Sequence, residues 1–263
     1  MPELPDVEGF RRTFADHAVA RPIERVDVLD PGVLRGVSAP RLRKALRGHR
    51  FAPPRRHGKW LVAPVDGNRE PAILLLHFGM TGSLSWAETG GDRQRHDRVV
   101  WSFADGELRY RDMRKLTGLR LLPDERALDR VLGETGPDAL SLSRKDLSQI
   151  LGRSRRQAKA ALMDQSVVAG LGNLLTDEIL WRARIHPKRS CAELTPGELG
   201  QLHRKMSTTL RQSVTAGQVP PRRSWLTGHR DEPDGACPRC GTRLSHARIG
   251  GRGTIWCPHC QPS

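Results

Sequence analysis

Val99-Val100-Trp101-Ser102-Phe103, the pair Asp105-Gly106 and Glu107-Leu108-Arg109-Tyr110 form the stretch on which the fold turns. Two runs rich in β-branched and aromatic residues flank an Asp-Gly, the pattern of an antiparallel hairpin. Outward from it lie further runs of strand length: Val26 with Val28, Trp60-Leu61-Val62-Ala63, Ala72 to His77, and Leu119-Arg120-Leu121-Leu122. Short strands joined mostly by hairpin-length turns predict an antiparallel β-sandwich. Upstream, Val7, Phe10, Phe14 and Val19 recur near helical spacing, so residues 5–19 read as an amphipathic helix. Ser38 to Leu46 reads as a short helix, with Ser38 as N-cap and Gly48 past its end. After Pro123-Asp124 the pattern turns helical, over residues 124–132, 144–151, 155–166, 173–183 and 196–216. Ser143 before Arg144-Lys145-Asp146 is one start signal. Thr195-Pro196-Gly197-Glu198 is another, combining an N-cap, Pro at N1 and a capping-box Glu. Residues 217–236, rich in Gly, Pro and charge, read as a connecting loop. The fold class is α+β.

The 263 residues carry 44 Lys plus Arg against 29 Asp plus Glu, a net charge of +15. Such a balance suits a polyanionic partner, through counterion release from phosphates. Arginine is spread along the whole chain, so nucleic acid is favoured over an acidic membrane surface. Six Trp, five Phe and one Tyr are too few for a recognition surface of stacked aromatics. Ile73-Leu74-Leu75-Leu76, the longest apolar run, is too short to span a membrane, and there is no secretory h-region. A monomeric, cytoplasmic, nucleoid-associated protein without a membrane partner is expected.

Cys237-Pro238-Arg239-Cys240 and Cys257-Pro258-His259-Cys260 flank residues 241–256. Each Cys-x-x-Cys places two thiolates on one turn, and two such turns complete a tetrahedral site for one Zn2+. Four thiolates close the coordination sphere, so the ion is structural and not catalytic. Gly241, Gly250, Gly251 and Gly253 suit the bends of a β-hairpin between the pairs. Two redox-active pairs are the weaker reading, since no thioredoxin-like pattern surrounds them. Arg248 and Arg252 on that hairpin are placed to reach phosphates, although Arg248 reads equally as a solvated charge. Cys191 is left over as a buried or incidental thiol.

The chain opens Met1-Pro2-Glu3-Leu4-Pro5-Asp6-Val7-Glu8. A small second residue lets aminopeptidase remove Met1, which would give Pro2 a free secondary amine. An α-amino group titrates near pH ~8, against ~10.4 for lysine. A useful fraction of Pro2 is then neutral and able to attack a sugar aldehyde carbon, as Schiff-base lysines do. Glu3, one residue on, could move protons. On pattern alone, a Pro-rich start that merely caps a helix is the favoured reading.

Five blocks together resemble the formamidopyrimidine-DNA glycosylase / endonuclease VIII family of bifunctional DNA repair enzymes. They are Pro2-Glu3-Leu4-Pro5, His57-Gly58-Lys59-Trp60-Leu61, His77-Phe78-Gly79-Met80-Thr81-Gly82-Ser83-Leu84, Val168-Ala169-Gly170-Leu171-Gly172-Asn173 and the terminal cysteine hairpin. The resemblance implies an N-terminal helix plus antiparallel β-sandwich, then a helix–two-turn–helix domain, then a zinc-finger β-hairpin, with DNA between the two halves. Domains are expected over residues 1–123, 124–225 and 226–263. By the same resemblance Pro2 is the nucleophile at C1′, and Glu3 handles protons during base loss and ring opening. Lys59 contacts phosphate and assists elimination. Asn173 meets phosphate at a helix start, and Arg252 grips the phosphates flanking the lesion. His96 resembles another DNA-contacting position. Base excision takes the nucleotide out of the stack. Met80 would fill the gap, Arg114 would pair with the orphaned opposite base, and Leu116 would wedge beside it.

The chain also departs from the family pattern. Where the formamidopyrimidine branch has Asp-Pro-Arg-Arg-Phe, this chain has Asp112-Met113-Arg114-Lys115-Leu116. The stretch from Gly217 to Ala236 is shorter than the branch's loop that closes over an everted oxidised purine. Gly228-His229-Arg230-Asp231 is nearer to endonuclease VIII. The expected function is a base-excision-repair DNA glycosylase with abasic-site (AP) lyase activity and β,δ-elimination, acting on double-stranded DNA with damaged bases or abasic sites. One alternative is an AP lyase or specialised-adduct glycosylase with little activity on oxidised bases. Another is a non-catalytic zinc-containing DNA-binding protein, against which the retention of Pro2, Glu3 and Lys59 argues.

Overall fold

The computed structural model describes residues 1–67 and 71–263. They group into two units: Met1–Pro2 with Asp6–Glu134, and Glu3–Pro5 with Thr135–Ser263. In chain order the first unit holds α1 (Leu4–Ala18, whose first two residues belong to the second unit), β1 (Arg25–Val28), α2 (Ala39–Leu46), β2 (Arg50–Phe51), β3 (Arg55–His57), β4 (Trp60–Asp66), β5 (Ala72–His77), β6 (Ser83–Glu88), β7 (Asp97–Phe103), β8 (Gly106–Arg111), β9 (Gly118–Leu122) and α3 (Glu125–Leu132). One sheet runs β1-β7-β8-β6. The other runs β2-β4-β5-β9, with β3 paired to β4. The hairpin read from Val99 to Tyr110 is β7–β8, in the register Trp101 opposite Leu108 and Phe103 opposite Gly106.

Gly106 is needed for a reason other than turn geometry. A Cβ there would lie 2.4 Å from Trp86 Cζ2 and 2.6 Å from the Ala87 carbonyl oxygen, so the glycine admits the neighbouring β6. β6 itself, Ser-Leu-Ser-Trp-Ala-Glu, was not anticipated as a strand. Its inward Leu84 is flanked by serines, too weak an alternation to read alone.

The apolar run in β5 has a simple cause. Leu74 and Leu76 enter the sandwich core with Leu61, Ala63, Leu119, Trp101, Leu108 and Tyr110, sealed by Phe14 of α1 and Leu42 of α2. The alternate residues Ile73 and Leu75 pack on the other face with Val62 and Leu128 of α3. A strand covered on both faces loses the polar half of its alternation.

The second unit holds α4 (Arg144–Gly152), α5 (Ala158–Met163), α6 (Asn173–Ala183), α7 (Pro196–Ala216), β10 (Ser245–Ile249) and β11 (Arg252–Trp256). The Thr195 capping box forms: Glu198 N–H donates to Thr195 Oγ1 at 3.2 Å, and Thr195 N–H to Glu198 Oε2 at 2.8 Å. The helix expected over 155–166 is shorter. Asp164 Oδ1 accepts from Ser166 N–H (2.8 Å) and Oγ (2.7 Å), an Asx turn that competes with another helical turn. Gln165 then organises the crossing to α6. Its amide donates to the carbonyls of Met163 (2.9 Å) and Leu171 (2.8 Å) and accepts from Gly170 N–H (3.0 Å). Residues 217–236 are not a plain connector. Trp225 and Leu226 are buried, and Leu226–His229 forms a 3-10 turn. Among the described residues no helix is long and apolar enough to cross a membrane.

Candidate active site and metal centre

In the second unit, the geometry begins with Glu3, which is 1% exposed. Its Oε2 accepts from Gly172 N–H (3.0 Å) and Leu175 N–H (3.1 Å), and its Oε1 from Leu174 N–H (2.8 Å). Gly172 is the N-cap of α6 and has no side chain to offer, so Glu3 caps the helix from the far end of the sequence. A carboxylate there also meets the positive end of the helix dipole. The glycines of Val168–Asn173 make room for it. A Cβ on Gly172 would lie 2.3 Å from Glu3 Cδ, and one on Gly170, at φ +109, 2.6 Å from Leu4 Cδ1. Leu4 N–H bonds the Gly170 carbonyl at 3.1 Å. The two sequence blocks read separately, Pro2–Pro5 and Val168–Asn173, are thus one construction.

Asn173, the first residue of α6, donates from Nδ2 to the Gly253 carbonyl at 3.0 Å. The same carbonyl accepts from Arg230 Nη2 (2.5 Å) and Lys159 Nζ (3.3 Å). Lys159 is fully buried and reaches Asp177 Oδ1 at 2.6 Å, while Arg230 Nη1 reaches Asp177 Oδ2 at 2.6 Å. Burial pushes the Lys159 amine below its ordinary pKa, and Asp177 opposes that shift. Arg252 stands exposed directly before Gly253, where the Gly250-Gly251 turn (φ +57 and +75) hands the chain into β11. Arg248 donates from Nε to the Gly251 carbonyl at 3.2 Å, inside the same turn. Sequence reading missed Lys159, Asp177 and Arg230 as a set. The available signal was α6, buried from Leu175 to Trp181 yet carrying both Asp177 and Glu178.

The four predicted ligands come together. The Sγ atoms of Cys237, Cys240, Cys257 and Cys260 lie within 4.8 Å of one another. Cys240 to Cys257 is 3.5 Å, Cys240 to Cys260 3.5 Å and Cys237 to Cys260 3.9 Å. Four thiolates at the Zn–S distance of ~2.3 Å on a tetrahedron would stand roughly 3.8 Å apart, so the set fits one Zn2+. Around the thiolates, Trp181 Nε1–H points at Cys237 Sγ (3.3 Å) and Cys260 N–H at Cys257 Sγ (3.3 Å). Cys191 lies apart from this cluster, buried within the helical core, and burial pushes its thiol up to about 11.

In the first unit, Pro2 is half-buried ahead of α1, and Met1 is 45% exposed. Lys59 sits in the turn between β3 and β4 with Gly58 at φ +55. Arg56 shapes that turn, donating to the Gly58 carbonyl at 3.0 Å and to Glu8 of α1 at 3.1 Å. Met80 follows β5, and its Sδ accepts from Arg114 Nη1 at 3.0 Å. Arg114 N–H is held by Thr81 Oγ1 and Asp112 Oδ1, both at 3.0 Å, and Thr81 Oγ1 donates to Asp112 Oδ1 at 2.6 Å. Met113 and Leu116 are 54% and 52% exposed on this loop. His96 Nδ1 lies 3.1 Å from Arg98 Nη2. Met80 and Arg114 therefore meet in this unit, and Leu116 stands exposed two residues further along the same loop. His96 lies in the turn immediately before β7, which pairs with β8.

His77 supplies a pH prediction. Its Nδ1 accepts from Gly79 N–H at 2.9 Å, which requires the neutral ring. Burial, then the charge of Lys59, lowers its pKa from 6.5 to about 4. Below about pH 6.5 the unfolded chain gains a proton that the folded chain refuses, so stability falls as pH drops through this window. Between pH 7 and pH 5 this group should cost about 2 kcal/mol. Urea unfolding at both pH values should show that slope in the wild type and lose it in His77→Gln. An unchanged slope in the variant would assign the titration to another group.

Comparison with known proteins agrees with this geometry. Residues 1–119 match the formamidopyrimidine-DNA glycosylase N-terminal domain, 135–222 the formamidopyrimidine-DNA glycosylase H2TH domain, and 236–262 the zinc finger found in FPG and IleRS. The chain is 36% identical to a formamidopyrimidine-DNA glycosylase of Symbiobacterium thermophilum, covering 100% of this chain and 90% of the relative. It is 36% identical to that of Geobacillus kaustophilus, covering 99% and 100%. Among solved structures it is similar to Lactococcus lactis formamidopyrimidine-DNA glycosylase bound non-covalently to DNA containing an AP site, with TM-score 0.87, 29% identity and full coverage of both chains. The wild-type Lactococcus lactis protein in complex with DNA containing an oxidised pyrimidine gives TM-score 0.88 at 29% identity, again with full coverage of both chains.

Proposed function

The chain belongs to the formamidopyrimidine-DNA glycosylase family, and from that premise we propose how its own residues divide the work. It is a base-excision-repair enzyme acting on damaged bases and abasic sites in DNA. The carrying observation is Glu3, a buried carboxylate peptide-bonded to Pro2 and fixed by three backbone N–H groups. A residue anchored so firmly fixes its neighbour, and a positioned amine is what covalent catalysis at a sugar carbon needs.

Once Met1 is removed, the Pro2 amine attacks C1′ of the damaged nucleoside. The glycosidic C1′–N bond breaks, and the base leaves with the bonding pair and takes up a proton. The amine then loses its proton, and its lone pair forms the C1′=N bond as the C1′–O4′ bond opens. The iminium draws electrons from C2′, whose proton is lost as the 3′ phosphate leaves. Loss of the C4′ proton into the conjugated iminium then expels the 5′ phosphate, completing β,δ-elimination. Glu3 exchanges the protons of base loss and ring opening. Lys59 contacts phosphate and assists elimination. Asn173, Arg252 and His96 hold the backbone, while Met80, Arg114 and Leu116 occupy the gap left by the everted nucleotide. Its DNA substrate places the enzyme in the cytoplasm, at the nucleoid.

One observation favours a restricted lesion range. Residues 225–230 are tied to α6. Thr227 N–H donates to Glu178 Oε2 (3.1 Å), the Arg182 guanidinium lies 4.0 Å from the Trp225 ring centroid, and Arg230 pairs with Asp177. A short segment pinned this way has little chain with which to cover a large everted purine, and a site without a built partner discriminates poorly. 8-oxoguanine opposite cytosine should therefore be excised at least about tenfold more slowly than ring-opened bases or oxidised pyrimidines, and abasic sites should be cleaved faster still. Single-turnover kinetics on matched duplexes, one lesion each, decide this. If 8-oxoguanine were the fastest substrate, the pinned segment would not be limiting.

A further inference from the structure

The Asp112–Leu116 loop presents two exposed apolar side chains, Met113 and Leu116, yet Lys115 between them is tightly constrained. Lys115 has φ +51, a left-handed conformation that a residue with a Cβ adopts only when its surroundings impose it. Its surroundings do. Lys115 Nζ bonds Asp30 Oδ2 at 2.8 Å, and Arg35 Nη2 bonds the Lys115 carbonyl at 2.6 Å. Arg35 is itself rooted by Nη1 on the carbonyls of Gly32 (2.8 Å) and Leu34 (3.1 Å). Asp30 is set by Gly32 N–H (2.8 Å) and by Arg98 Nη1 (3.1 Å). A Cβ on Gly32 would lie 3.3 Å from Lys115 Nζ and 3.7 Å from its Cδ, so the glycine leaves the passage for the lysine stem. The 30–35 segment therefore reads as a socket for one residue of a distant loop.

We propose that Lys115 is a positioning residue, locked by Asp30 and Arg35 in a left-handed turn that aims Arg114 and Leu116, and that this lock sets how strongly the enzyme discriminates among opposite bases. The inference rests on the reading of Arg114 and Leu116 given under Proposed function. Its logic is that of a preformed binding loop. Arg114 is held from one side by Thr81 and Asp112, and Leu116 follows a residue held from the other side. With both sides fixed, a poorly fitting opposite base is rejected instead of being met by a shifted loop. The charge pattern separates this from a simple phosphate contact. Lys115 Nζ is turned onto Asp30 Oδ2, toward the 30–35 segment, which is the direction of a tether and not of a phosphate contact.

The test uses the full mature chain on abasic-site duplexes with each of the four opposite bases. The readout is the ratio of cleavage rates for the best and worst opposite base, together with the salt dependence of binding. Lys115→Met and Asp30→Asn should each reduce the ratio at least about threefold, and the double variant no further than either single, since both break the same lock. Lys115→Arg should keep the ratio within about twofold of wild type, because it retains the charge that Asp30 holds. The slope of log affinity against log salt should stay unchanged in Lys115→Met. If instead Lys115→Met lowers that slope by about one while Asp30→Asn tightens binding, Lys115 is a phosphate contact and the proposal is overturned. Arg114→Ala and Leu116→Ala keep the two layers apart. If they move the ratio while the lock variants do not, the lock inference alone fails. If they leave it unmoved, the gap-filling reading fails.

Discussion

Borohydride should trap a covalent complex between the mature chain and an abasic-site oligonucleotide. Pro2→Gly, or a chain carrying extra residues ahead of Pro2, should lose trapping by about a hundredfold or more. The size of the effect follows from geometry as much as from chemistry. Glu3 is held by Gly172, Leu174 and Leu175, and Leu4 by Gly170, so the backbone at the start of α1 cannot slide to present a different amine. An amine displaced by one residue, as on a chain that keeps Met1, sits off the reacting carbon, and small misplacements remove most of an orientation advantage. Pro2→Gly keeps a terminal amine but gives up the rigid ring that fixes its direction. The trapped band should therefore track Met1 removal, which mass spectrometry reads directly. Undiminished trapping by the extended chain would move the nucleophile to a lysine, Lys59 first among them.

The parts of the fold legible in the sequence were those where local chemistry and tertiary context agree. Asp105-Gly106 between two apolar runs gave β7–β8, and Thr195 with Glu198 gave the start of α7. What stayed hidden depends on partners distant in sequence. β6 is a strand because β8 pairs with it, and Gly106 is glycine because the Trp86 ring lies against it. α5 ends at Met163 because the Asp164 side chain captures Ser166, a competition that a helical window does not register.

The site divides the same way. Motif blocks named Glu3, Lys59, Met80, Arg114, Asn173 and the cysteines, but nothing in them said that Glu3 is the cap of α6. That fact also explains Gly172, whose missing Cβ is the space Glu3 fills. Lys159, Asp177 and Arg230 lie in three segments that look unrelated along the chain. They meet because the Gly253 carbonyl and a buried carboxylate need donors. The socket for Lys115 is equally unreadable, since Asp30 and Arg35 lie in a segment with no motif of its own.

Removal of zinc should have the other large effect. The purified chain should hold about one zinc, and Cys240→Ser or chelation should release it and cut DNA affinity by about a hundredfold. The hairpin has little else to fold on. Its apolar cluster is Trp181, Leu226, Cys237, Leu244, Ile255 and Cys257, two of which are ligands themselves. A two-stranded hairpin with so small a core is marginal alone, so the metal's binding energy, on the order of 10 kcal/mol, is its folding energy. The loss then spreads through Gly253. With β11 disordered, Arg252 is no longer presented, and Asn173, Lys159 and Arg230 lose the carbonyl on which they converge. Lys159 and Arg230 keep Asp177, so α5 and α6 should stay folded while the phosphate grip goes. The first unit, with its own sandwich core, should melt at an unchanged temperature. Binding titrations over a range of salt should show a smaller slope in the zinc-free chain, because fewer cations reach phosphate. Full affinity and an unchanged slope in a zinc-free preparation would remove the hairpin from the DNA interface.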